Sequence, residues 1–392
     1  MPMNKVFIVA AKRTATGGFL GKLSNHSATQ LGSLVIQAAV EKVSLSPNAI
    51  NAVYMGNVLS ANLGQSPARQ AALGAGLPNH ADCTTVNKVC ASGLKATMLG
   101  AQQIQLGYAD VMMTGGMESM SNVPHYSYRR KANKIGDDNL VDGLLKDGLT
   151  DAYHLFHMGC AAERCVKEFS ISRESQDEYA LNSYAKASKA TQDGCFKAET
   201  LPIMVKANGE EVLFQEDEDI AKLIPSKIHS LEPVFATNGT ITAANASNLN
   251  DGAAAILLAS EAAVAKHHLK PLARILAYAD AAEAPEKFTI APTLAIRKAL
   301  NLAGLSLGEI HFFEINEAYA AVMLANQKLL NLDMKKVNVY GGAIAIGHPL
   351  GASGARILCT LTSVLHQENG RYGIAAICNG GGGASAMIIE RL

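Results

Sequence analysis

Tryptophan is absent from this 392-residue chain, aromatic residues reach only 5%, and no net charge remains because 34 basic side chains balance 34 acidic ones. Without a bulk positive charge the chain offers no electrostatic footprint for nucleic acid or an anionic membrane surface. Long apolar runs are missing too. Stretches such as Ala253–Ala259 are far shorter than the roughly 20 residues a bilayer span needs. The segment Met1 to Ala10 reads as a first strand and lacks the longer apolar core and cleavage site of a signal peptide. Metal-knuckle cysteine pairs are also lacking. Seven scattered cysteines, an odd number, argue for reduced thiols in a cytoplasmic location, and Cys160 with Cys165 has no second pair to complete a zinc site. The expectation is a soluble cytoplasmic protein with no nucleic-acid partner, no membrane partner and no metal.

What the chain does have is a repeat. Val89-Cys90-Ala91-Ser92-Gly93-Leu94 and Gly351-Ala352-Ser353-Gly354-Ala355 both place Ala-Ser-Gly before a helix-like stretch. Upstream, Met55-Gly56-Asn57 follows an apolar run, as Glu314-Ile315-Asn316 does later. Asn57 lies 35 residues before Ser92, and Asn316 lies 37 before Ser353. A repeat of this length predicts two similar halves facing each other across a shared site.

Apolar runs alternate with helix-period segments. Runs at Val6–Ala10, Ala52–Met55, Val111–Thr114, Ala273–Tyr278, Phe312–Ile315 and Gly373–Cys378 read as strands. Thr29–Val43, Gly93–Leu106, Thr293–Ala303 and Gly354–Leu365 read as helices. The alternation predicts an α/β fold with largely parallel sheets. Residues 121–249 are polar, with two helices near 159–169 and 173–192. They read as an insertion beside the site, a lid or substrate-binding element. Glu216 to Asp219 reads as a solvated acidic loop.

Three side chains distinguish the two repeats: Cys90, His348 and Cys378. If Ala91–Gly93 opens a helix, Cys90 sits at its N-terminus, where a thiol pKa falls from about 8.5 to roughly 3.5–7.5. His348 lies in a Gly-rich turn before Pro349, placed to share a proton with a thiol. Cys378 precedes four glycines, a loop that bares its N–H groups. Asn316 ends a strand, where its amide either holds a water or oxyanion or caps the next helix. All four fall at strand-to-helix turns, where α/β sheets build their sites.

These residues carry a family resemblance. Asn87-Lys88-Val89-Cys90-Ala91-Ser92-Gly93-Leu94-Lys95, Asn316-Glu317-Ala318, Gly347-His348-Pro349 and Cys378-Asn379-Gly380 together resemble the thiolase signatures, most closely those of the acetoacetyl-CoA branch. The likeness covers essentially the whole chain. It implies a duplicated thiolase fold, two βαβαβαββ-type halves in a five-layered α-β-α-β-α core with an inserted loop domain. The implied division is an N-terminal domain over 1–270 containing the 121–249 insertion, and a C-terminal domain over 271–392.

The implied activity is reversible condensation of two acetyl-CoA to acetoacetyl-CoA and CoA, with the CoA thioester as substrate and no tightly bound cofactor. Cys90 resembles the nucleophile, His348 its activator, and Cys378 the base that removes the α-proton. His348 with a water on Asn316 resembles one oxyanion hole, and the N–H groups of Cys90 and Gly380 the other. Leu149, His157, Met158 and Ser247 match positions along the pantetheine tunnel, with Phe288, Ala318 and Tyr319 beside them. Tyr319 departs from the Phe of many relatives. Ile220 replaces a tyrosine that helps some of them bind potassium, which argues against a potassium requirement. The resemblance further implies a homotetramer, a dimer of dimers, and a place in fatty acid metabolism. An alternative is a broad-range 3-ketoacyl-CoA thiolase of fatty-acid degradation. His157-Met158-Gly159 and the bulky Phe288 favour a short acyl pocket instead.

Overall fold

A computed structural model describes residues 4–130, 135, 137–207 and 209–392. Nine principal strands are β1 Val6–Thr14, β2 Ala52–Gly56, β3 Asp82–Val86, β4 Val111–Ser119, β5 Asn250–Ser260, β6 Ala273–Ala282, β7 Phe312–Ile315, β8 Tyr372–Asn379 and β9 Gly383–Arg391. The main helices are α1 Ala28–Lys42, α2 Pro67–Gly74, α3 Ser92–Gln105, α4 Met158–Glu168, α5 Arg173–Gln192, α6 Ala291–Ala303, α7 Ala320–Leu330 and α8 Leu350–Gln367. Local chemistry sets several starts. Ser27 opens α1 with a reciprocal capping box to Gln30, and Ser172 caps α5 through the Ser175 N–H.

The strands run in the order β7-β8-β9-β6-β1-β5-β4-β2-β3. The two half-sheets are joined where Val6–Ile8 pairs with Ala273–Ile275. The sheet is mixed, a correction to the largely parallel arrangement read from sequence. Among the nine principal strands, β2 with β3, β2 with β4, and β7 with β8 are the parallel pairs, and a short strand Thr200–Leu201 adds a parallel pairing on β1. The reason lies in the connections. β5 enters from the insertion and pairs antiparallel with both β1 and β4, and β8 turns straight into β9 through the glycine loop. Parallel neighbours need long crossovers, which rules them out for the directly joined β8 and β9. The insertion returns the chain to the end of β4 that it left, with Asp251 opposite Ser119, so β5 runs back along it.

The buried side chains sort into layers. One face of the first half-sheet packs Val53, Met113 and Leu257 against Leu31, Val35 and Ile36 of α1. Its other face packs Ile256 and Met112 on Leu94, Met98 and Ile104 of α3 and on Ile357 and Leu361 of α8. That same cluster continues to Ile377, Met387 and Ile389 of the second half-sheet. Beyond it, Ile374, Ala376 and Ile388 pack on Ile296 and Ala299 of α6 and Met323 of α7. The result is five layers, with α3 and α8 in the middle. The first half completes the βαβαβαββ order. In the second, the third strand shrinks to one parallel bridge between Phe313 and Val337.

The middle helices meet backbone to backbone at their first turns. A Cβ on Gly93 would lie 2.8 Å from the Ala355 N, and one on Gly354 would lie 2.4 Å from the Leu94 N. The paired Ser-Gly of the repeat is thus the contact about which the halves are related.

Residues 216–219 are not a solvated acidic loop. Asp217 and Asp219 are buried, Asp217 against Arg13 at 2.7 Å and Asp219 on the Asn250 amide at 2.8 Å. Asp217 completes, with Glu199 at 2.6 Å, the seat of the buried Arg13, and Asp219 fixes the entry to β5. No helix among the described residues is long and apolar enough to cross a membrane.

Candidate active site

The turn before α3, the start of α8, the end of β8 and residues 145–249 of the insertion surround a cavity of about 390 Å³. Cys90, His348, Cys378 and Gly380 line it, as do Leu149, His157, Met158, Ser247, Phe288, Ala318 and Tyr319. Of the residues singled out by sequence, only Asn316 is not on the cavity wall. It lies fully buried at the end of β7, and neither its amide oxygen nor its nitrogen has a protein partner among the described residues. Its N–H bonds the Ala376 carbonyl at 2.9 Å. A helix-capping role is excluded, because α7 begins at Ala320 after Tyr319.

Cys90 stands on a strained turn. Val89, before it, has φ 46°, a left-handed conformation that costs a β-branched residue about 1–3 kcal/mol. Ser92 pins this turn: its hydroxyl donates to the Val89 carbonyl at 2.5 Å and accepts from the Lys88 N–H at 2.8 Å. The Cys90 sulfur faces two backbone N–H groups, those of Gly380 and of Cys90 itself. The expected low thiol pKa is overturned. Burial pushes the Cys90 thiol up to about 12 against the pull of those two N–H groups. α3 begins at Ser92 with Ala91 as its cap, so Cys90 stands outside the first turn. Sequence shows the helix start but not the desolvation.

His348 is held by the matching device of the second repeat. Its backbone N–H bonds the Asn250 amide oxygen at 2.8 Å, and its Nδ1 lies 2.6 Å from the Ser353 hydroxyl. Ser353 also donates to the Pro349 carbonyl at 2.9 Å. With the hydroxyl proton on Pro349, the Ser353 oxygen accepts from Nδ1–H, which leaves the Nε2 lone pair free. Nε2 is buried and has no partner among the described residues. Burial holds the imidazole down at a pKa of about 3, with Arg356 acting in the same direction. The ring is neutral throughout the physiological range. The turn itself needs glycine. Gly347 has φ 107°, and a Cβ there would lie 2.5 Å from the Asn250 side chain.

Cys378 is buried at the end of β8, and its thiol is raised by burial and by its neighbour Cys90. The loop beyond it carries Gly381 and Gly382 at φ 83° and 87°. Glu118, unremarked in the sequence, ties the loop after β2 to the start of α8. Its carboxylate accepts from the N–H groups of Val58, Leu59 and Gly351 and from the Asn57 amide, at 2.7–3.1 Å. Burial nevertheless raises it to about 7. Ser353, Asn250 and Glu118 escaped the sequence reading. The only available signal was the Ser92–Ser353 match of the repeat.

The tunnel wall is apolar and aromatic. The His157 ring stacks on Phe235 with centroids 4.6 Å apart, and its Nδ1 accepts the Gly159 N–H at the start of α4. Phe288 and Phe235 meet Tyr319 edge-on at 6.5 and 6.1 Å. Burial keeps the Tyr319 phenol protonated. The Ser247 hydroxyl donates to the Ala318 carbonyl at 3.1 Å, and its lone pairs remain for a ligand donor. Ala243, Asn248 and Leu249 also line a neighbouring, more open cavity of about 480 Å³ that carries Lys222 and Lys227. Among the described residues, no group of three or more His, Cys, Asp or Glu is placed to hold a metal.

Comparison with known proteins gives this geometry its setting. The profile described as "Thiolase, N-terminal domain" matches residues 6–262, and "Thiolase, C-terminal domain" matches 269–391. The cytosolic acetyl-CoA acetyltransferase ERG10 of Gibberella zeae is 53% identical, over 99% of this chain and 98% of its own. The mitochondrial acetyl-CoA acetyltransferase of Bos taurus is 51% identical, over 100% of this chain and 92% of its own. The crystal structure of the Acat5 thiolase from Ascaris suum in complex with coenzyme A superimposes with a TM-score of 0.94 at 46% identity. It covers 99% of this chain and 100% of the other.

Proposed function

The chain belongs to the thiolase family, and from that premise we propose that it is an acetyl-CoA C-acetyltransferase. It is an acyltransferase that reversibly condenses two acetyl-CoA into acetoacetyl-CoA and CoA. The observation that carries this reading is that Cys90, His348, Cys378 and Gly380 line one largely apolar cavity together. The alternative of a broad-range 3-ketoacyl-CoA thiolase lacks support: the relatives above are named acetyl-CoA acetyltransferases. CoA enters as substrate. Its pantetheine arm fits the tunnel past Leu149, Met158 and Ser247, and Lys222 and Lys227 stand beside the outer cavity for its phosphates.

A neutral thiol and a neutral imidazole set the first step. His348 Nε2 takes the Cys90 proton as the sulfur attacks the acetyl carbonyl, so the thiolate exists only in passing. The tetrahedral intermediate expels the CoA thiolate, which takes the Cys378 proton, so that Cys90 is left as an acetyl thioester, Cys378 as a thiolate and His348 with the Cys90 proton on Nε2. CoA departs before the second acetyl-CoA enters, which makes turnover ping-pong. Cys378 then removes the α-proton of the second acetyl-CoA. Its own thiol is costly to ionise when buried, so the reaction needs donors on the enolate oxygen.

The proton that His348 took from Cys90 stays on Nε2, with Nδ1–H still on Ser353, and Nε2–H becomes such a donor beside a water held by the free Asn316 amide. The enolate carbon attacks the acetyl-Cys90 carbonyl, whose oxygen charge is met by the N–H groups of Cys90 and Gly380. Each donor of this kind is worth about 10²–10³ in rate. Collapse releases acetoacetyl-CoA, the expelled Cys90 sulfur takes the proton back from His348 Nε2, and the α-proton remains on Cys378, which restores the resting protonation states.

Thiolysis of acetoacetyl-CoA beside a long-chain 3-ketoacyl-CoA tests the substrate reading; comparable cleavage of both refutes it. Cys90→Ala abolishes labelling by radioactive acetyl-CoA, whereas Cys378→Ala keeps labelling and loses condensation. Equal loss in both variants overturns the division of roles. We also infer a homotetramer working in the cytosol within fatty acid metabolism, and a division into domains 1–270 and 271–392. Analytical ultracentrifugation, subcellular fractionation and limited proteolysis, respectively, check the assembly, location and division.

A further inference from the structure

The two N–H groups facing the Cys90 sulfur come from opposite halves of the chain. The hole they form is therefore only as well shaped as the joint between those halves. Each side is shaped by few contacts. Val89 is held in an unfavourable conformation by Ser92, and Gly380–Gly383, without side chains of its own, is held by the Asn379 amide on the Gly380 carbonyl at 2.8 Å and the Glu283 N–H on the Gly382 carbonyl at 2.9 Å.

Lys88 spans this joint. Its ammonium reaches Asp280 Oδ1 at 2.5 Å, the Ser385 hydroxyl at 2.9 Å and the Ala384 carbonyl at 3.2 Å. Asp280 lies on β6, whereas Ala384 and Ser385 open β9 directly after the glycine loop. Ser385 donates to the same Asp280 oxygen at 2.7 Å, and Lys95 in the second turn of α3 takes Asp280 Oδ2 at 2.6 Å. One cation precedes Cys90 and another follows it, and both converge on a single carboxylate of the opposite half. The backbone of Lys88 is simultaneously bound to Ser92, so motion of its side chain is passed to the Cys90 turn.

We propose that Lys88 is a positioning residue for acyl transfer: gripped by Asp280, Ser385 and the Ala384 carbonyl, it fixes the Cys90 N–H against the Gly380 N–H. It acts through geometry. The influences on the Cys90 thiol are burial, the two N–H groups and Glu118. The proposal rests on Cys90 being the acylated residue, and acetylation of the wild type by acetyl-CoA tests that premise separately.

The discriminating comparison is between two reactions at the same sulfur. Acetylation by acetyl-CoA builds charge on a carbonyl oxygen and needs the hole. Alkylation by iodoacetamide displaces iodide at a saturated carbon and builds none. In Lys88→Met, acetylation is expected to fall 10- to 100-fold, the scale of a misplaced catalytic group, with alkylation within threefold of wild type. Lys88→Arg restores acetylation at least in part, and Lys88→Met/Asp280→Asn is no slower than Lys88→Met. If acetylation and alkylation fall together, or acetylation holds, the proposal is wrong. Should Lys88→Met not fold, Ser385→Ala removes one of the three contacts and is expected to slow acetylation about 3- to 10-fold, again sparing alkylation. A wild type that alkylates but does not acetylate overturns the acyl-transfer premise instead.

Discussion

Replacing Ser353 by alanine removes one hydroxyl and, with it, control of which nitrogen of His348 carries the proton. Ser353 lies 2.6 Å from Nδ1 and 2.9 Å from the Pro349 carbonyl. A buried hydrogen bond of this kind contributes about 1–1.5 kcal/mol. Each 1.36 kcal/mol is tenfold in rate, so losing tautomer control should lower kcat for acetoacetyl-CoA thiolysis by about tenfold. The Ser353 position is not on the tunnel wall, so KM for CoA is expected to stay within twofold. Pro349 loses its donor at the same time, at a cost of about 1–3 kcal/mol of stability. Steady-state kinetics and thermal melting separate the two effects. Ser353→Thr, which keeps the hydroxyl, should retain most of kcat even if its extra methyl lowers the melting point. A tenfold rise in KM with unchanged kcat refutes the reasoning, as does a Ser353→Ala enzyme whose kcat is intact.

Three further outcomes follow from the geometry. Burial lowers the His348 pKa to about 3 in the fold, below its ordinary 6.5. Its contribution to stability is therefore present above pH 6.5 and lost as pH falls toward 3. The stability difference between wild type and His348→Asn should shrink by about 2–3 kcal/mol from pH 6.5 to 4 in urea titrations; a constant difference argues against a buried neutral ring. Arg13 is fully buried between Glu199 at 2.6 Å and Asp217 at 2.7 Å. Arg13→Met strands two carboxylates and should cost about 3–5 kcal/mol in chemical denaturation, with a loss under 1 kcal/mol counting against it. Gly347→Ala, at φ 107° and facing Asn250, should displace His348 and abolish thiolysis in a protein whose circular dichroism is unchanged. Normal turnover in that variant would mean the turn can relax.

Apolar runs made most strands legible, and periodicity made α1, α3, α6 and α8 legible. β3 escaped because Asp82-Cys83-Thr84-Thr85-Val86 has no apolar run: it lies at the sheet edge with its polar residues outward. The third strand of the second half had no sequence signal because it is one bridge long. Site side chains stood out because each broke the repeat. Their supports did not, since Ser353, Asn250 and Glu118 look like ordinary turn and strand residues until the fold brings them to His348 and the start of α8. The thiol pKa went the wrong way for a related reason: a helix N-terminus can be read locally, whereas the tunnel that dries Cys90 is assembled from distant segments.

The middle layer makes the halves mutually dependent for folding. α3 packs on β5 of its own half and, with α8, on Ile377 and Met387 of the other. A chain severed between Ser260 and Ala273 would leave each fragment with a helix whose opposite flank faced water. Duplication produced two similar units here, but neither is a self-sufficient globule. Cys90 of one unit and His348 of the other come to line one cavity through the same surface that each unit needs in order to be solid.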